Sequence, residues 1–333
     1  MKILVFEYVT GGGFNKQELS DSLVREGSLM RDALLDNLIR LNQTRVNSLE
    51  VTVMLDWRLG NLAGMTGVNV VTIRAQHDIT EEFARLVKQC DLVWPIAPEF
   101  DGILQALCQT VVLSGKLLLT SPATAVAIAG NKLKTYELLS RHHIATVPTC
   151  MFENTYRPGE WMVKPIDGVG CEDSYVLTTQ QDFERMAMRK GRYIIQPHLQ
   201  GAKTSLSCLF KQGRGWLVCA NLQRFELINQ QYHLADIVVN HHPGLGLYRQ
   251  LIDNIAQAVP ELWGYVGIDL IANDKIWVLE INPRLTTSFV GIHDALGINI
   301  AEAVLQLLHG KPMINPTYSR PITVHAKQET HAS

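Results

Sequence analysis

Paired cysteines, long hydrophobic runs and an excess of either charge are all missing from this chain, and each absence removes a class of function. The six cysteines (Cys90, Cys108, Cys150, Cys171, Cys208 and Cys219) are scattered, with no C-x-x-C pair. They read as small buried hydrophobes in a reducing cytosol, not as a disulfide framework or a zinc site. The histidines form no H-x-x-x-H spacing, and the adjacent pairs His142-His143 and His241-His242 read as surface or loop residues. No apolar run approaches the ~20 residues needed to span a bilayer. The opening Met1–Phe6 is too short and too quickly polar for a secretory leader, so the expected location is cytoplasmic, with no membrane partner. Lysine and arginine total 30 against 32 acids, a formal net charge of −2. That balance offers no basic field for nucleic acid. A Walker A loop and a complete G-x-G-x-x-G are missing too, which sets aside the P-loop and nicotinamide readings.

What remains is a 333-residue chain, 47% apolar, with material for two or three subdomains. Residues 2–9 read as a strand running into Thr10-Gly11-Gly12-Gly13. A helix with Leu34, Leu38 and Leu41 inward follows, then a strand at 50–55 and a helix at 80–90 burying Phe83, Leu86, Val87 and Cys90. A strand over Leu92–Ile96, a helix near 101–113 and the run Leu117–Thr120 complete the pattern. Strands alternating with helices predict a parallel, helix-covered α/β domain. After a helix at 131–142 the texture changes. Strands are expected at 160–165, 174–178, 193–196, 204–210, 215–220, 265–271 and 276–281, with helices at 245–259 and 299–309. This is an α+β pattern of antiparallel sheet with helices packed on it. The tail beyond Pro312 shows no periodicity and is expected to be loose. The boundaries drawn from this are 1–119, 120–195, 196–312 and 313–333.

The densest chemistry lies in Gly267-Ile268-Asp269-Leu270-Ile271 and Val278-Leu279-Glu280-Ile281-Asn282-Pro283-Arg284. These read as two apolar strands joined by a turn at Asn273-Asp274-Lys275. Acids within such apolar strands need a compensating charge, because a buried unpaired charge is costly. Asp269, Glu280 and Asn282 offer only oxygen ligands, and the side chains of Glu280 and Asn282, two apart, share a face. Oxygen donors with Arg284 close by suit Mg²⁺ holding phosphates. A plain hairpin with a polar rim is the alternative.

Two further segments handle anions. In Trp161–Cys171 a strand delivers Lys164, and the turn containing Gly168, Val169 and Gly170 follows at once. Backbone N–H groups in such a turn can converge on phosphate oxygens. Lys132 lies at the start of a helix, where free N–H groups and the macrodipole favour an anion. Between them, Tyr193-Ile194-Ile195 runs into Gln196-Pro197-His198-Leu199, a strand becoming a hinge, which can offer a donor, an acceptor and an apolar slot to an adenine.

In this order the motifs resemble the ATP-grasp superfamily, over most of residues 120–310, and the first α/β domain resembles its Rossmann-like pre-ATP-grasp domain. The resemblance implies that Lys132, Lys164 and Gly168–Gly170 contact ATP phosphates and that Gln196, Pro197, His198 and Leu199 hold adenine. It further implies that Asp269, Glu280 and Asn282 bind one or two Mg²⁺ (or Mn²⁺) and that Arg284 is catalytic. Lys203 departs from the family pattern, in which a glutamate contacts ribose; a phosphate contact is its alternative role. The implied reaction forms an amide from a carboxylate and an amine through an acyl phosphate, releasing ADP.

A finer likeness, in Phe6–Gly12, Glu26-Gly27, Ile96–Glu99 and Asn282–Ser288, is to the tyramine–glutamate ligase branch of methanofuran-like pathways. It implies glutamate and an aromatic amine as substrates, with Glu7, Gly11, Gly12, Arg224, Thr286, Thr287 and Ser288 near them. A D-alanine-type or other amino-acid ligase is the runner-up, and a non-catalytic ATP-binding regulator the third reading. A homodimer is left open.

Overall fold

The computed structural model describes the chain except residues 45–48, 61, 63–64, 169–172, 242–243, 245 and 327–333. The first part runs β1 (Lys2–Glu7), α1 (Asp21–Thr44), β2 (Glu50–Asp56), β3 (Val68–Ile73), α2 (Ile79–Gln89), β4 (Leu92–Ile96), α3 (Ile103–Leu113) and β5 (Leu117–Leu118). The strands pair in parallel in the order β3-β2-β1-β4-β5. Helices cover both faces, so β1 is apolar without alternation, as buried parallel strands are. Ile3 and Val5 meet Leu34, Leu35 and Leu38 of α1, while Leu4 and Phe6 turn to Phe83, Leu86 and Val87 of α2. The carboxyl ends of β1 and β4 deliver Glu7 and the 97–99 segment to one rim, where open α/β sheets place their sites.

The second part contains α4 (Ala123–Ala129), α5 (Lys132–Arg141), β6 (Cys150–Met151), β7 (Trp161–Pro165), β8 (Tyr175–Leu177), α6 (Gln180–Ala187) and β9 (Tyr193–Pro197). It continues with β10 (Ala202–Lys211), β11 (Arg214–Ile228), β12 (Gln231–Val239), α7 (Gly246–Ala258), β13 (Gly264–Ala272), β14 (Ile276–Asn282), α8 (Ile292–Leu296), α9 (Ile300–Leu307) and β15 (Ile322–His325). Among the described residues its strands form one antiparallel sheet, ordered β14-β13-β10-β11-β12-β8-β7-β9-β6. A small core of Val163, Phe183, Met186 and Ile195 serves the β7–β9 end. A larger one, with Ile252, Ile255, Val266, Ile268 and Val278, serves the β10–β14 end. Among the described residues the two ends pair at Gln231↔Tyr175, and the sheet bends around a cleft.

Several elements depart from the expectations. The tail is not loose throughout: β15 adds to the edge of β12 from Asp236↔His325 to Val239↔Ile322. It is too short for period-2 alternation to stand out. β3 and β12 escaped the reading because β3 is an edge strand with exposed positions and β12 mixes polar and apolar residues without strict alternation. Helix α6 was likewise unannounced, although Thr179 caps it in a capping box with Asp182. No single described helix is long and apolar enough to cross a membrane. The apolar pair Thr287–Leu296 and Ile300–Leu307 bends by 104° and contributes Phe289, Ile292, Ile300 and Val304 to the core.

Asp182 makes the cap measurable. Its carboxylate accepts from the backbone N–H groups of Thr178 (3.1 Å) and Thr179 (2.9 Å). Burial pushes this carboxyl up, but those donors, with the Thr179 hydroxyl and Gln230, outweigh burial and hold it at about 2, below its ordinary 3.8. A depressed acid contributes stability above its ordinary pKa and loses it as pH falls through the folded value. Asp182→Asn is expected to lower stability by about 1–2 kcal/mol at pH 7. In denaturant titrations the gap to the unaltered protein should close as pH falls from 3.8 to about 2.

Candidate active site

The floor of the cleft is the β13–β14 ladder. The register puts Asp269 directly across from Glu280, and the pairing slips at the next step, from Leu270 to Val278. Leu279 is thus the extra residue of a bulge, which turns Leu279 and Glu280 both toward the cleft. Asn282 donates to one Asp269 oxygen at 2.9 Å and Gln223, from β11, donates to the other at 2.9 Å. Lys132, the first residue of α5, reaches Glu280 at 3.3 Å and donates to the Gly168 carbonyl at 2.5 Å. Burial, and then the Glu280 charge, push the Asp269 carboxyl up. Burial pushes Glu280 the same way, but Lys132 and Lys164 outweigh it and keep that carboxyl low.

Two acids facing each other across a ladder destabilise it without a counter-charge. The donor set of two carboxylates and an amide is all oxygen, which fits a hard divalent cation completed by phosphate and water. These residues therefore suit Mg²⁺.

Lys164 on β7, Gly168, and the hinge residues Gln196, Pro197, His198 and Leu199 form the opposite wall, with Val147, Met162, Ile271 and Leu279 giving an apolar slot. The Gln196 amide is already committed, donating to Thr149 Oγ1 at 2.7 Å. His198 links Glu160 (2.9 Å) to the Tyr232 hydroxyl (2.9 Å). Lys203 lines the cleft with its ammonium 2.9 Å from the Tyr232 ring centroid and 4.9 Å from that of Phe225, a cation–π seat.

Arg284 also lines the cleft and is almost enclosed. Its Nη2 donates to Glu99 at 2.9 Å and its Nη1 to the Leu285 carbonyl at 3.0 Å. Burial opposes its charge, and Glu99 above all, then Glu26 and Glu280, more than restore it. Thr286, Thr287 and Ser288 follow as a run of hydroxyls. Thr286 meets Tyr265 at 3.2 Å, Ser288 meets Ser205 at 3.2 Å, and Thr287 donates to Glu26 at 3.1 Å.

Val169 and Gly170 lie outside the described residues. Glu7, Gly11, Gly12 and Arg224 do not line the cleft. The Glu7 carboxylate is buried and accepts from Val9 N (3.2 Å), Thr10 N (2.7 Å) and Thr10 Oγ1 (2.6 Å), holding its own turn together. Burial raises this carboxyl against those hydrogen bonds. Gly11 presses on Phe6, and Gly12, at φ 93°, on Ile73. Arg224 sits across from Asp236 at a second bulge, while Gln223 and Phe225 on either side of it face the cleft.

Sequence reasoning gave no role to Glu26, Glu99, Gln223, Phe225 or Tyr232. For Tyr232 the alternation that could have shown it is broken by the bulge at Ala235, so that Tyr232 and Leu234 face the cleft and then Ile237.

Residues 49–126 match a family described as a pre-ATP-grasp domain, and residues 129–288 one described as an ATP-grasp domain. Two relatives named tyramine–L-glutamate ligase align with most of the chain. The Methanocaldococcus jannaschii protein is 26% identical over 293 residues, covering 87% of this chain and 84% of its own. The Methanocaldococcus fervens protein is 25% identical over 292 residues, covering 87% and 89%. An L-amino acid ligase from Bacillus licheniformis shares the fold, with a TM-score of 0.70 at 16% identity, covering 97% of this chain and 78% of its own.

Gly267 shows how tightly the floor is seated, since a Cβ there would lie 2.5 Å from the Thr286 methyl. Gly267→Val is expected to lower stability by about 1–3 kcal/mol in urea unfolding. Because the displaced residue opens the hydroxyl run, turnover should fall by more than the loss of folded protein accounts for.

Proposed function

The chain belongs to the ATP-grasp family, a family of ligases, and from that premise we propose that it joins L-glutamate to tyramine, or to a related aromatic amine, with cleavage of ATP to ADP. It is an ATP-dependent ligase that forms carbon–nitrogen bonds. The observation that carries the substrate reading is the alignment of both tyramine–L-glutamate ligases over 87% of the chain. The cleft agrees with it chemically, bringing together cations, an apolar slot, paired acids, and Arg284 with three hydroxyls.

In this reading adenine lies in the slot of Val147, Met162, Ile271 and Leu279 against the 196–199 hinge, and Lys132 and Lys164 meet the phosphates. Lys203, held on two rings, faces the ribose or the α-phosphate. Mg²⁺ held by Asp269, Glu280 and Asn282 would offset phosphate charge. A carboxylate oxygen of glutamate attacks the γ-phosphorus, the bond to the β-phosphate oxygen breaks, and ADP leaves. The amine nitrogen then adds to the acyl carbon, the carbon–oxygen bond breaks, phosphate departs and the nitrogen sheds a proton. The chain supplies position and charge rather than a nucleophile. Arg284, fixed by Glu99, faces the charge that builds on the acyl oxygen in the second step.

A second reading, an amino-acid ligase with another acceptor, is favoured by the fold shared with the Bacillus licheniformis enzyme. ADP release with Mg·ATP and L-glutamate, with and without tyramine, followed by product mass, separates the two. Tyramine-dependent release with a glutamyl-tyramine mass supports the first; release only with an amino acid as amine supports the second.

Glu280→Ala is expected to reduce turnover below about a hundredth while leaving the circular dichroism spectrum unchanged. Arg284→Ala should lower kcat by about 10²–10³. EDTA should stop ADP release and added Mg²⁺ or Mn²⁺ should restore it.

A further inference from the structure

Gln196 sits near the end of β9, where the strand becomes the hinge, and it lines the cleft. A terminal amide has a donating and an accepting end of nearly the same shape, so its neighbours decide which end a ligand meets. We propose that Thr149 is the positioning residue that turns the Gln196 oxygen toward the base, and so selects adenine against purines with an oxygen at position 6. The proposal rests on the ligase reading above, with its ATP site, and deepens it.

The strand register brings the two residues together. β6 pairs antiparallel with β9 as Cys150↔Ile195 and Met151↔Ile194, and one further step in that register sets Thr149 beside Gln196. On its other side β9 pairs with β7, where Met162, a residue of the apolar slot, stands directly across from Gln196. Thr149 is held in turn by the segment before it. There Thr146 bridges to Val278 of β14 and donates to the Val278 carbonyl at 2.8 Å, and Val278 N donates to the Ala145 carbonyl at 2.9 Å. Thr149 therefore has a fixed place between β14 and the hinge.

Counting protons then orients the amide. The Thr149 hydroxyl has one hydrogen, which it donates to the Val147 carbonyl at 2.8 Å. Its oxygen can then only accept, and Gln196 Nε2 donates to it at 2.7 Å. Turning the amide over would set Oε1 against an oxygen with no proton to give, or take that proton from the Val147 carbonyl. Thr149 and Gln196 are both buried, so either change leaves a buried acceptor unmet, which is costly. Oε1 is thus the end of the amide left for the cleft. It matches the 6-amino group of adenine and opposes the 6-oxo group of hypoxanthine or guanine. Between the apolar walls of Val147, Met162, Ile271 and Leu279, an acceptor set against an acceptor is strongly rejected.

The test titrates Mg²⁺ complexes of ATP, ITP and purine riboside triphosphate, which lacks only the 6-amino group, into the full chain by calorimetry. The unaltered protein, Thr149→Val and Thr149→Ser are compared. The unaltered protein should bind ATP roughly 10- to 100-fold more tightly than ITP, with purine riboside triphosphate between them. Thr149→Val leaves either end of the amide free to face the base, so the preference for ATP over ITP should fall by roughly 10-fold, while purine riboside triphosphate changes least. Thr149→Ser keeps the hydroxyl and should keep the preference. If the Val variant folds poorly, Gln196→Leu, which removes the amide, should lose the same preference. An equal loss for all three nucleotides in Thr149→Val would make Thr149 merely structural. An unchanged preference in that variant, or equal binding of ATP and ITP by the unaltered protein, would mean that this amide does not read the base. Each of these overturns the proposal while the ligase reading stands. No binding of any of the three by the unaltered protein would remove both.

Discussion

Two carboxylates, Asp269 and Glu280, stand directly opposite each other on adjacent strands, and their mutual repulsion is the constraint around which the cleft is arranged. On an exposed ladder such a pair would separate into water; here both are inside the cleft and cannot. The chain meets the repulsion unequally. Glu280 has Lys132 at 3.3 Å and the field of Lys164, whereas Asp269 has the neutral donors Asn282 and Gln223. One acid is compensated by the chain and the other is held in place without a full counter-charge, which is what a site that accepts a divalent cation requires. The helix start at Lys132, the bulge at Leu279 and the strand carrying Lys164 all serve that geometry.

Residues 99–121 brace the cleft from outside its sheet. Glu99 fixes Arg284, the Thr120 hydroxyl donates to the Pro283 carbonyl at 3.0 Å, and Ser121 donates to the Trp263 carbonyl at 2.9 Å. The segment 283–288, with Arg284 and the hydroxyl run, is thereby held from outside its own sheet. Under the proposed ligase reading, Arg284 meets developing charge without reorganisation when that charge appears.

Much of this was legible in the sequence wherever a polar residue broke an apolar pattern. Asp269, Glu280 and Asn282 stood out for that reason, as did Lys164 before its glycine turn, and all line one cleft. Parallel strands such as β1 and β4 were equally plain, because burial on both faces removes every polar position. Glu7 entered only through the finer likeness, and its carboxylate closes a turn; a polar residue at a strand end satisfies backbone donors as readily as it meets a ligand. Glu26 is the converse. On a helix an acid carries no signal that separates a cleft-facing position from a solvated one, and Glu26 drew no role although it lines the cleft. β15 was hidden for another reason, since four residues added to an edge carry too little pattern to separate strand from coil.

The central claim is that this cleft activates a carboxylate by phosphorylating it. It is tested most directly by following oxygen. Glutamate labelled with ¹⁸O in its carboxylates is turned over with Mg·ATP and the amine, and the phosphorus products are weighed by mass spectrometry. One ¹⁸O per amide formed should appear in inorganic phosphate, because the carboxylate oxygen that attacks the γ-phosphorus leaves with it. Label in AMP would mean attack at the α-phosphorus, and label in neither would mean that the carboxylate is never phosphorylated; both results contradict the account.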